Sequence, residues 1–312
     1  MLLAVSGGPD SLALLALADE WRKHSGVPVA VATVDHGLRP AARGEAEMVA
    51  RVCEARGLPH AILTWDAPKP STGLPAAARM ARYELLVDHA LTLGADTIVT
   101  AHHADDQAET VLMRITRGSG PAGLAGMAAI GPAPGHEDSC LRLARPLLAT
   151  PKADLVALCR AEGLAFAEDP TNADETYRRP QLRRLGSTLA AEGLGRDALL
   201  RLAARAGRAE RALADLIAGR LAALPARRAP DRFEVETRAV LALPEEALIR
   251  LLAAEIRRLT GANPRLERLE SLAALLLGGD GTAATLGGAL VRLDEKRLVI
   301  KAQPPRRHAP VR

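Results

Sequence analysis

The sequence predicts an α/β protein in which a doubly wound parallel sheet is followed by a helical linker and a small α+β domain. Over residues 2–117, short apolar runs alternate with helical segments. Such alternation is typical of βαβ units around a parallel sheet that is buried on both faces. Glycine-rich or polar segments follow three of the apolar runs, and these sheets bind ligands beyond the carboxyl ends of their strands.

The elements of the first part follow one another closely. Predicted strands cover 2–5, 27–34, 60–65 and 97–101, and predicted helices cover 11–21, 41–56, 74–93 and 105–117. A Gly- and Pro-rich loop over 118–134 comes next. We expect another helix to begin at Thr150-Pro151, with Thr150 as its cap, and to end near Gly163. A polar turn at 168–172 follows.

The second part is richer in Ala, Leu and Arg. Predicted helices cover 178–193, 195–224, 245–260 and 264–277, and predicted strands cover 233–237, 282–286, 289–293 and 297–301. The stretch 225–230 begins and ends with proline and is the best candidate for a domain boundary. We therefore expect a first domain over 1–190, a helical linker over 191–224, a small domain over 225–302 and a basic tail over 303–312.

Composition excludes several classes of protein. An apolar fraction of 48% and a charged fraction of 25% exclude a disordered chain. No stretch approaches eighteen uncharged apolar residues and none resembles a signal peptide, so we expect a cytoplasmic protein without a membrane partner. The three cysteines, Cys53, Cys140 and Cys159, form no CxxC pair and indicate reduced thiols.

Charge is distributed unevenly along the chain. Residues 1–177 carry 15 basic and 22 acidic side chains, a net −7, whereas residues 178–312 carry 26 and 15, a net +11. A basic half favours an anionic partner, with nucleic acid first. The alternative is that arginine simply provides solvated charge on helix surfaces. Aromatic residues make up only 2% of the chain, too few for an extensive base-stacking surface.

The strongest motif is Ser6-Gly7-Gly8-Pro9-Asp10-Ser11, between the first predicted strand and the first predicted helix. Glycines let the backbone turn sharply so that successive N–H groups point at phosphate oxygens, and the helix N-terminus adds partial positive charge. Asp10 suits such an anion site only if Mg²⁺ bridges it to the phosphates. The alternative is an ordinary βα turn in which Asp or Ser caps the helix.

The second motif, His102-His103-Ala104-Asp105-Asp106-Gln107-Ala108-Glu109-Thr110, follows the fourth strand. His102, Asp106 and Glu109 share one face of the first helical turn. Carboxylates there can ligate Mg²⁺ or bind an ammonium group, and a histidine can bind phosphate or move a proton. The alternative is a helix-capping pattern formed by Asp106 and Glu109.

Two weaker motifs lie between these two in the sequence. Val34-Asp35-His36-Gly37-Leu38-Arg39 follows the second strand, where an acid commonly meets the sugar or base of a nucleotide, although a simple turn explains it as well. Arg79 and Arg82 lie three apart in Ala78-Arg79-Met80-Ala81-Arg82-Tyr83, where they can clamp phosphate or merely solvate a helix face.

Together these motifs occur in the order and context of the N-type ATP pyrophosphatases, the PP-loop superfamily. Within them, the sequence resembles the tRNA(Ile)-lysidine synthetase family. Further matching segments lie at 117–120, 145–148 and 169–172, the last followed by Tyr177. The resemblance is strong over residues 1–195, and beyond them it concerns only length, charge and predicted pattern.

The resemblance implies a Rossmann-like ATP pyrophosphatase domain and a two-step reaction that uses ATP and Mg²⁺. ATP would adenylate the C2 carbonyl of the wobble cytidine in the CAU-anticodon tRNA(Ile), with release of pyrophosphate. The ε-amine of free L-lysine would then displace AMP and form lysidine. The protein would therefore be a tRNA-modifying carbon–nitrogen ligase, with tRNA(Ile), lysine and ATP as partners. The oligomeric state stays open, and a homodimer is one alternative.

The resemblance also assigns roles to residues of this chain. The ATP-binding set is Ser6, Gly7, Gly8, Pro9, Asp10 and Ser11, with Asp35 and His36. The catalytic set is Asp10, His102, Asp105, Asp106 and Glu109, of which Asp10 and Asp106 would bind the metal. The RNA-binding set is Arg79, Arg82, Arg179, Arg183, Arg205 and Arg208, of which the last four are predicted from the positive charge of residues 178–312 and not from the resemblance. Arg201 and Arg211 lie on the same predicted helix face as Arg205 and Arg208. Upstream, Arg178 and Arg184 are the sequence neighbours of Arg179 and Arg183.

Three positions depart from the family pattern. Family members usually have a short helix before the first strand, so the start at Met1 is expected to be late. Pro75 stands where Glu or Gln is common, and Pro180 stands where Asn usually follows Arg179.

Three other functions remain as alternatives. A small-molecule amidating enzyme of the same fold would leave the basic second half of the chain unexplained. A tRNA 2-thiolation enzyme of the same fold is disfavoured, because that chemistry uses paired cysteines. A nucleotide-binding module without catalysis explains the Ser6–Ser11 loop but leaves the segment 102–110 unexplained.

Overall fold

The computed structural model describes residues 1–38, 41–136, 139–167, 186, 188–278 and 283–303. These residues divide into two compact units, one formed by 1–118 with 122–206 and the other by 119–121 with 207–312. The predicted turn at 168–172, most of the predicted helix at 178–193 and the tail beyond Gln303 lie outside the described residues. None of the described helices is long and apolar enough to cross a membrane.

The first unit is built on a parallel sheet with helices between its strands. Its elements are β1 (Leu2–Ala4), α1 (Pro9–Ser25), β2 (Ala30–Asp35), α2 (Ala41–Ala55), β3 (His60–Thr64), α3 (Leu74–Thr92), β4 (Thr97–Thr100), α4 (Ala104–Ile115), α5 (Pro121–Leu124), β5 (Ile130–Pro132), β6 (Arg142–Ala144) and α6 (Lys152–Ala161). The long helix α7 (Arg196–Ala222) runs from the first unit into the second.

The six strands lie in the order β3-β2-β1-β4-β6-β5. All neighbours pair in parallel except β5, which is antiparallel to β6. The direction of winding reverses between β1 and β4, which pair through Leu2 with Ile98 and Ala4 with Thr100. At such a switch point the loops after the two strands separate and leave a crevice for ligands. The predicted doubly wound parallel sheet is confirmed.

Apolar side chains explain why the sheet is buried on both faces. Leu3, Val31 and Val99 pack against Leu12 and Leu15 of α1, together with Leu155 and Cys159 of α6. The neighbouring residues of the same strands point to the opposite face of the sheet and pack against α3. They are Leu2, Ala32 and Ile98. Each fully buried Leu, Val or Ile contributes about 1.5–3 kcal/mol to folding, which is why these strands read as continuous apolar runs.

A buried carboxylate fastens the far end of α1 to its neighbours. Asp19 is 2% exposed and forms ion pairs with Arg22 at 2.7 Å and with Lys23 and Arg56 at 3.3 Å. Burial raises the pKa of Asp19, but the hydrogen bonds from these three cations outweigh it, and its pKa lies below the ordinary value of 3.8. Arg56 also pairs with Glu162, so one cluster joins α1, the end of α2 and the residue after α6.

The region predicted as one loop over 118–134 contains two elements that the sequence analysis missed. Helix α5 and strand β5 lie within it, and β6 follows. The three-residue strands β5 and β6 are too short to show an alternating pattern, and β6 forms because it pairs with the buried β4. Gln107 of α4 fixes this region, since its side chain donates to Met127 O at 2.9 Å and accepts from Met127 N at 2.7 Å.

The start of α6 also differs from its prediction. Thr150 is not the cap: Pro151 occupies that position without a side-chain hydrogen bond. The Asp105 carboxylate, from α4, accepts the Lys152 N–H at 2.8 Å instead. A helix end needs partners for its first N–H groups, and here a carboxylate from another element provides one of them.

The second unit is a five-stranded antiparallel sheet covered by helices. Its further elements are β7 (Arg227–Ala229), β8 (Arg232–Glu236), α8 (Thr237–Leu241), α9 (Glu245–Thr260), α10 (Leu266–Leu277), β9 (Ala283–Leu286), β10 (Ala289–Leu293) and β11 (Arg297–Ala302). The strand order is β7-β8-β11-β10-β9. Phe233, Leu298 and Val291 of the sheet pack against Leu252 and Ile256 of α9. The predicted small α+β region is therefore present, with α8 and β7 as additions that the sequence analysis did not predict.

A buried ion cluster ties this sheet to α9. Glu255 is 3% exposed and accepts from Arg228 Nε and from Arg258 Nε, each at 2.7 Å. Arg258 also donates to the carbonyl oxygen of Ala229 at 2.8 Å. The cluster therefore holds the edge strand β7 against the helix.

Candidate active site

The Ser6–Ser11 loop joins β1 to α1 at the switch point of the sheet. Gly7 has φ of +88°, in the left-handed region that side chains rarely adopt, and a Cβ there would lie 3.2 Å from Met48 Cε. Gly8 is the N-cap of α1 and provides no side-chain cap. The turn therefore needs glycine at Gly7, and it leaves the N-terminus of α1 facing the crevice, as an anion site requires.

The hydroxyl of Ser11, the last residue of this loop, forms its hydrogen bonds within the loop. Ser11 is 5% exposed. Its Oγ donates to Gly8 O at 3.0 Å and accepts from the Ser6 N–H at 3.1 Å, and Ser6 Oγ lies 3.3 Å away. Ser11 thus holds the loop in shape, and Ser6 is the more exposed of the two hydroxyls.

The second site segment begins with a histidine that the sequence analysis did not select. His103, not His102, is the N-cap of α4. Its Nδ1 accepts the Asp106 N–H at 3.3 Å, and the Asp106 carboxylate accepts the His103 N–H at 3.2 Å. This reciprocal pair is a capping box, so Asp106 does act as a cap. Its capping partner is His103 and not Glu109.

His103 also brings the two loops together. Its Nε2 lies 3.5 Å from Asp10 Oδ2 and 3.4 Å from Asp106 Oδ2. Because Nδ1 accepts a hydrogen bond, Nε2 carries the proton in the neutral ring and faces both carboxylates. Asp10 and Asp106 therefore lie close to each other in the structure, with His103 between them.

The charges in this cluster shift the pKa values of Asp10 and His103 in opposite directions. Burial raises the pKa of Asp10, but the hydrogen bond and charge of His103, with the Lys152 ammonium, outweigh it and leave this pKa below 3.8. Burial lowers the pKa of His103, whereas Asp10, Asp106 and Asp105 raise it, and its pKa lies above 6.5. Both shifts favour an ionised Asp10 at neutral pH.

The remaining predicted catalytic residues lie around this cluster. Asp105 contacts the Lys152 N–H as described, and its Oδ1 lies 3.7 Å from Arg196. His102 Nδ1 lies 2.9 Å from Thr100 Oγ1. Asp105 and Glu109 line a pocket of about 240 Å³ together with Arg196. Its other walls are Ala108, Leu112, Gly186, Leu189, Ala190, Leu194, Gly195 and Leu199.

A larger cavity lies beside Ser6, at the start of the Ser6–Ser11 loop. It has a volume of about 620 Å³ and is lined by the ends of β1 and β2, with Ser6, His36 and Arg82. This volume falls within the range of small-molecule sites. His36 Nδ1 is buried without a hydrogen-bond partner among the described residues, and burial lowers the pKa of this ring below 6.5. Asp35 is 8% exposed and accepts the Gly37 N–H at 2.9 Å, so it shapes the turn.

The predicted RNA-binding arginines fall into three groups. Arg82 lines the cavity, whereas Arg79 is exposed and stacks over the Tyr83 ring at 5.1 Å. Arg205 and Arg208 are exposed on α7. Arg179 and Arg183, like the departure at Pro180, lie outside the described residues.

The residues present fit a magnesium ion that arrives with phosphates. Within the described residues, no group of three or more His, Cys, Asp or Glu side chains is arranged to hold a metal ion by itself. Asp10 Oδ1, however, is buried without a hydrogen-bond partner among those residues. Mg²⁺ commonly uses one or two carboxylates together with substrate phosphates and water, and Asp10 with Asp106 can provide them.

Sequence reasoning missed three side chains of the site. His103 had a signal, because a polar residue three positions before Asp106 is typical of a capping box. Lys152 and Arg196 had none, since their positions depend on how α6 packs against α1 and how α7 packs against α4. Leu199 and Ala203 of α7 pack with Ala108 and Val111 of α4.

Comparisons with known proteins agree with this geometry. Residues 1–188 match the PP-loop domain family. The tRNA(Ile)-lysidine synthase of Methylobacterium nodulans is 49% identical over 98% of this chain and 91% of its own length. That of Rhodopseudomonas palustris is also 49% identical, with the same coverage of both chains. A solved structure, the U34-tRNA thiolase NcsA of Methanococcus maripaludis, shares the fold with a TM-score of 0.54 at 18% identity, over 65% of this chain and 71% of its own. The chain therefore belongs to the PP-loop domain family and, within it, to the tRNA(Ile)-lysidine synthases.

Proposed function

We propose that this protein ligates free L-lysine to C2 of the wobble cytidine in CAU-anticodon tRNA(Ile) and converts ATP to AMP and pyrophosphate. The observation that carries the proposal is the 49% identity to lysidine synthases over 98% of the chain. The site supports it, because a phosphate loop and a carboxylate cluster meet at the switch point of the sheet.

In the first step the C2 carbonyl oxygen of the cytidine attacks the α-phosphorus of ATP. A bond forms between them, and the bond to the departing pyrophosphate breaks. The Ser6–Ser11 loop binds the pyrophosphate through backbone N–H groups and the N-terminus of α1. Asp10 and Asp106 are the residues that would hold Mg²⁺, which supplies positive charge to the pyrophosphate when bound. The 620 Å³ cavity beside His36 and Arg82 has room for the adenosine.

In the second step the neutral ε-amine of lysine attacks C2 and forms the C–N bond. The bond from C2 to the adenylated oxygen breaks, AMP leaves with that oxygen, and the amine nitrogen releases a proton to solvent. The 240 Å³ pocket on α4 suits this amino acid, because leucine side chains line it for the aliphatic stem and charged groups lie at its edge. Glu109 and Asp105 are the carboxylates that would bind an ammonium group, and Arg196 is the cation that would bind the lysine carboxylate. Among the predicted catalytic residues, His102 has the weakest support, since its ring turns toward Thr100.

The RNA partner is supported by the charge of the second part of the chain, +11 over residues 178–312. Arg201, Arg205, Arg208 and Arg211 are all exposed on α7 and recur at spacings of three and four. Replacing Arg205, Arg208 and Arg211 by Gln is expected to weaken tRNA binding and to lower its log–log salt slope by about 0.7–0.9 for each phosphate that is no longer neutralised. ATP affinity is expected to stay unchanged. An unchanged salt slope and tRNA affinity would make this row a solvated helix face.

One assay tests the proposed reaction directly. Purified protein is incubated with ATP, radiolabelled lysine and a transcript of either tRNA(Ile) or tRNA(Met) that carries the CAU anticodon. Label is expected in tRNA(Ile) only, with AMP formed in equal amount, and Asp10→Ala is expected to abolish pyrophosphate release without unfolding the protein. Absence of labelled tRNA(Ile) from an ATP-binding, folded protein would refute the lysidine assignment.

A thiolation enzyme on the same fold is not favoured. The similarity to the archaeal thiolase concerns the fold alone. Cys53 and Cys159 are buried and Cys140 is exposed, so these three do not present a pair of accessible thiols. The cytoplasmic location and the homodimer stay as predictions from the sequence, as do the domain limits.

A further inference from the structure

The antiparallel sheet of the second unit has one face that is open to solvent. Along β8, β10 and β11, buried residues that pack with α9 alternate with residues that are exposed or half-buried. The strand register places the exposed and half-buried residues on one common surface, which we call the outer sheet face. Its members on β7, β8, β10 and β11 are Arg227, Ala229, Arg232, Glu234, Glu236, Leu290, Arg292, Arg297, Val299 and Lys301.

The outer sheet face carries an excess of positive charge. Five of these side chains are basic and two are acidic. Glu234 is shared between two cations, since it forms ion pairs with Arg232 and, at 3.1 Å, with Arg297. The other three cations form no ion pair with any described residue, and they are Arg227, Arg292 and Lys301.

The arrangement of the cations costs the unbound protein stability. Lys301 pairs directly with Arg232 across β11 and β8, so two like charges lie opposite each other on an exposed surface, which destabilises a sheet. Arg292 lies opposite Val299 and therefore diagonal to Lys301, at about 7–8 Å. Asp294, directly after β10, interacts with Arg292 through charge but forms no ion pair with it. An anion bound across the three strands would relieve the repulsion.

The composition of the outer sheet face favours a polyanion that is bound through its backbone. Neighbouring strands lie about 4.7–4.9 Å apart, and a nucleic-acid duplex has one charge per about 1.7 Å of its axis, so the face can contact several phosphates. None of its members is aromatic, and it therefore offers no base-stacking surface for single-stranded RNA. Its larger apolar members, Leu290 and Val299, are half-buried between the cations and provide no anchor for a protein interface.

We propose that the outer sheet face binds a helical stem of the tRNA through its phosphates, without reading its sequence. This inference rests on the proposed function, in which the partner is a tRNA. Arg292 and Lys301 neutralise phosphates and release the counterions that the RNA holds. The face thus adds affinity that does not depend on the anticodon, whereas the active site selects the nucleotide that reacts.

The test removes the two unpaired cations of β10 and β11. The full-length wild type, Arg292→Gln with Lys301→Gln, and Arg292→Lys with Lys301→Arg are titrated at about 50–200 mM salt. The three RNAs are the tRNA(Ile) transcript, the tRNA(Met) transcript and an RNA hairpin stem without an anticodon.

The double Gln variant is expected to bind all three RNAs about 5- to 30-fold more weakly. Its log–log salt slope is expected to fall by about 1.4–1.8, because two phosphate contacts are lost. The variant that retains both charges is expected to keep the slope of the wild type. Urea unfolding is expected to show no loss of stability in the double Gln variant, since a repulsion is removed.

The matched control removes the same charge from another surface of the second unit. Arg265 and Arg268 are exposed at the start of α10, whose apolar side packs into the core with α9. Arg265→Gln with Arg268→Gln is expected to bind the three RNAs nearly as the wild type does. Neither double Gln variant is expected to change the dissociation constant of ATP in calorimetry.

Three results would overturn the proposal. Unchanged RNA affinity and salt slope in the Arg292 and Lys301 variant would leave the face to another partner, such as an acidic protein surface. A loss confined to tRNA(Ile) would show that the face reads sequence. An equal loss in the Arg265 and Arg268 control would reduce the effect to net charge. If the wild type forms no lysidine but the RNA stems still bind with a slope that depends on Arg292 and Lys301, the proposed function fails and this inference stands.

Discussion

Asp106→Asn separates a capping role of this residue from a role in catalysis. Asp106 accepts the His103 N–H at 3.2 Å, and an Asn side chain offers a carbonyl oxygen at the same place. An Asn carbonyl oxygen can accept the same N–H in the capping box, and loss of the carboxylate charge near a helix N-terminus costs about 0.3–1 kcal/mol. We therefore expect the free energy of unfolding to fall by less than about 1 kcal/mol.

The effect of Asp106→Asn on activity is expected to be much larger. If Asp106 holds Mg²⁺ on the leaving pyrophosphate, its loss removes an electrostatic contact of the transition state, worth about 10²- to 10³-fold in rate. Urea unfolding and tRNA-dependent AMP formation measure the two effects on the same preparation. Asp154→Asn is the control, because Asp154 is also an acid in a first helical turn but is exposed on α6.

The catalytic role of Asp106 fails if Asp106→Asn keeps full activity, since the carboxylate charge would then serve only the cap. It also fails if the variant loses several kcal/mol of stability and its activity falls only in proportion to the folded fraction. The Asp154→Asn control is expected to change neither quantity, and an equal loss of activity there would indicate a general effect of first-turn charge.

Three further changes test other parts of the structure. Gly7→Ala is expected to destabilise the protein by about 1–2 kcal/mol, because its φ of +88° disfavours a side chain, and to weaken ATP binding in calorimetry. Gly44→Ala, where a Cβ meets nothing within 4 Å, should do neither. Asp19→Asn is expected to cost about 2–3 kcal/mol at pH 7 in urea unfolding. Since the folded pKa of Asp19 lies below 3.8, this contribution is fully present above that pH and is lost as pH falls through the folded value, so the variant and the wild type should converge in acid. Glu255→Gln is expected to cost about 1–3 kcal/mol, with faster hydrogen exchange in α9 and β7 and unchanged ATP affinity. An equal exchange pattern in both proteins would contradict the last expectation.

Sequence alone predicts the elements whose signals are local. The helix Glu245–Thr260 has the predicted bounds. Both signals are local, because its apolar period lies within the segment and Gly261 directly follows it as the C-cap. The parallel sheet is predictable for the same reason, since each strand is a run of apolar residues that must be buried on both faces. Strand β6 could not be predicted, because three residues show no period and the strand exists only through its pairing with β4.

The same distinction holds within the site. The Ser6–Ser11 loop is recognisable from the sequence because its sharp turn needs a positive φ at Gly7, which glycine adopts readily. The choice between His102 and His103 depends on which of two neighbouring side chains turns into the site, and that follows from the cap conformation of His103, with φ of −121°. Lys152 has no local signal, because its contact with Asp10 spans 142 residues of sequence and arises from the packing of α6 on α1.

The pairing of β1 with β4 has a consequence for the order in which this protein gains its activity. Leu2 pairs with Ile98, so the two loops of the site meet only after a chain of nearly a hundred residues has closed on itself. Such distant pairings are slow steps of folding, because the chain gives up its closure entropy before the stabilising interactions form. During synthesis the Ser6–Ser11 loop emerges early but stays without Asp106 until α4 has been made. Nucleotide binding therefore requires that β1 and β4 are already paired. Bound ATP is expected to protect both strands together against hydrogen exchange.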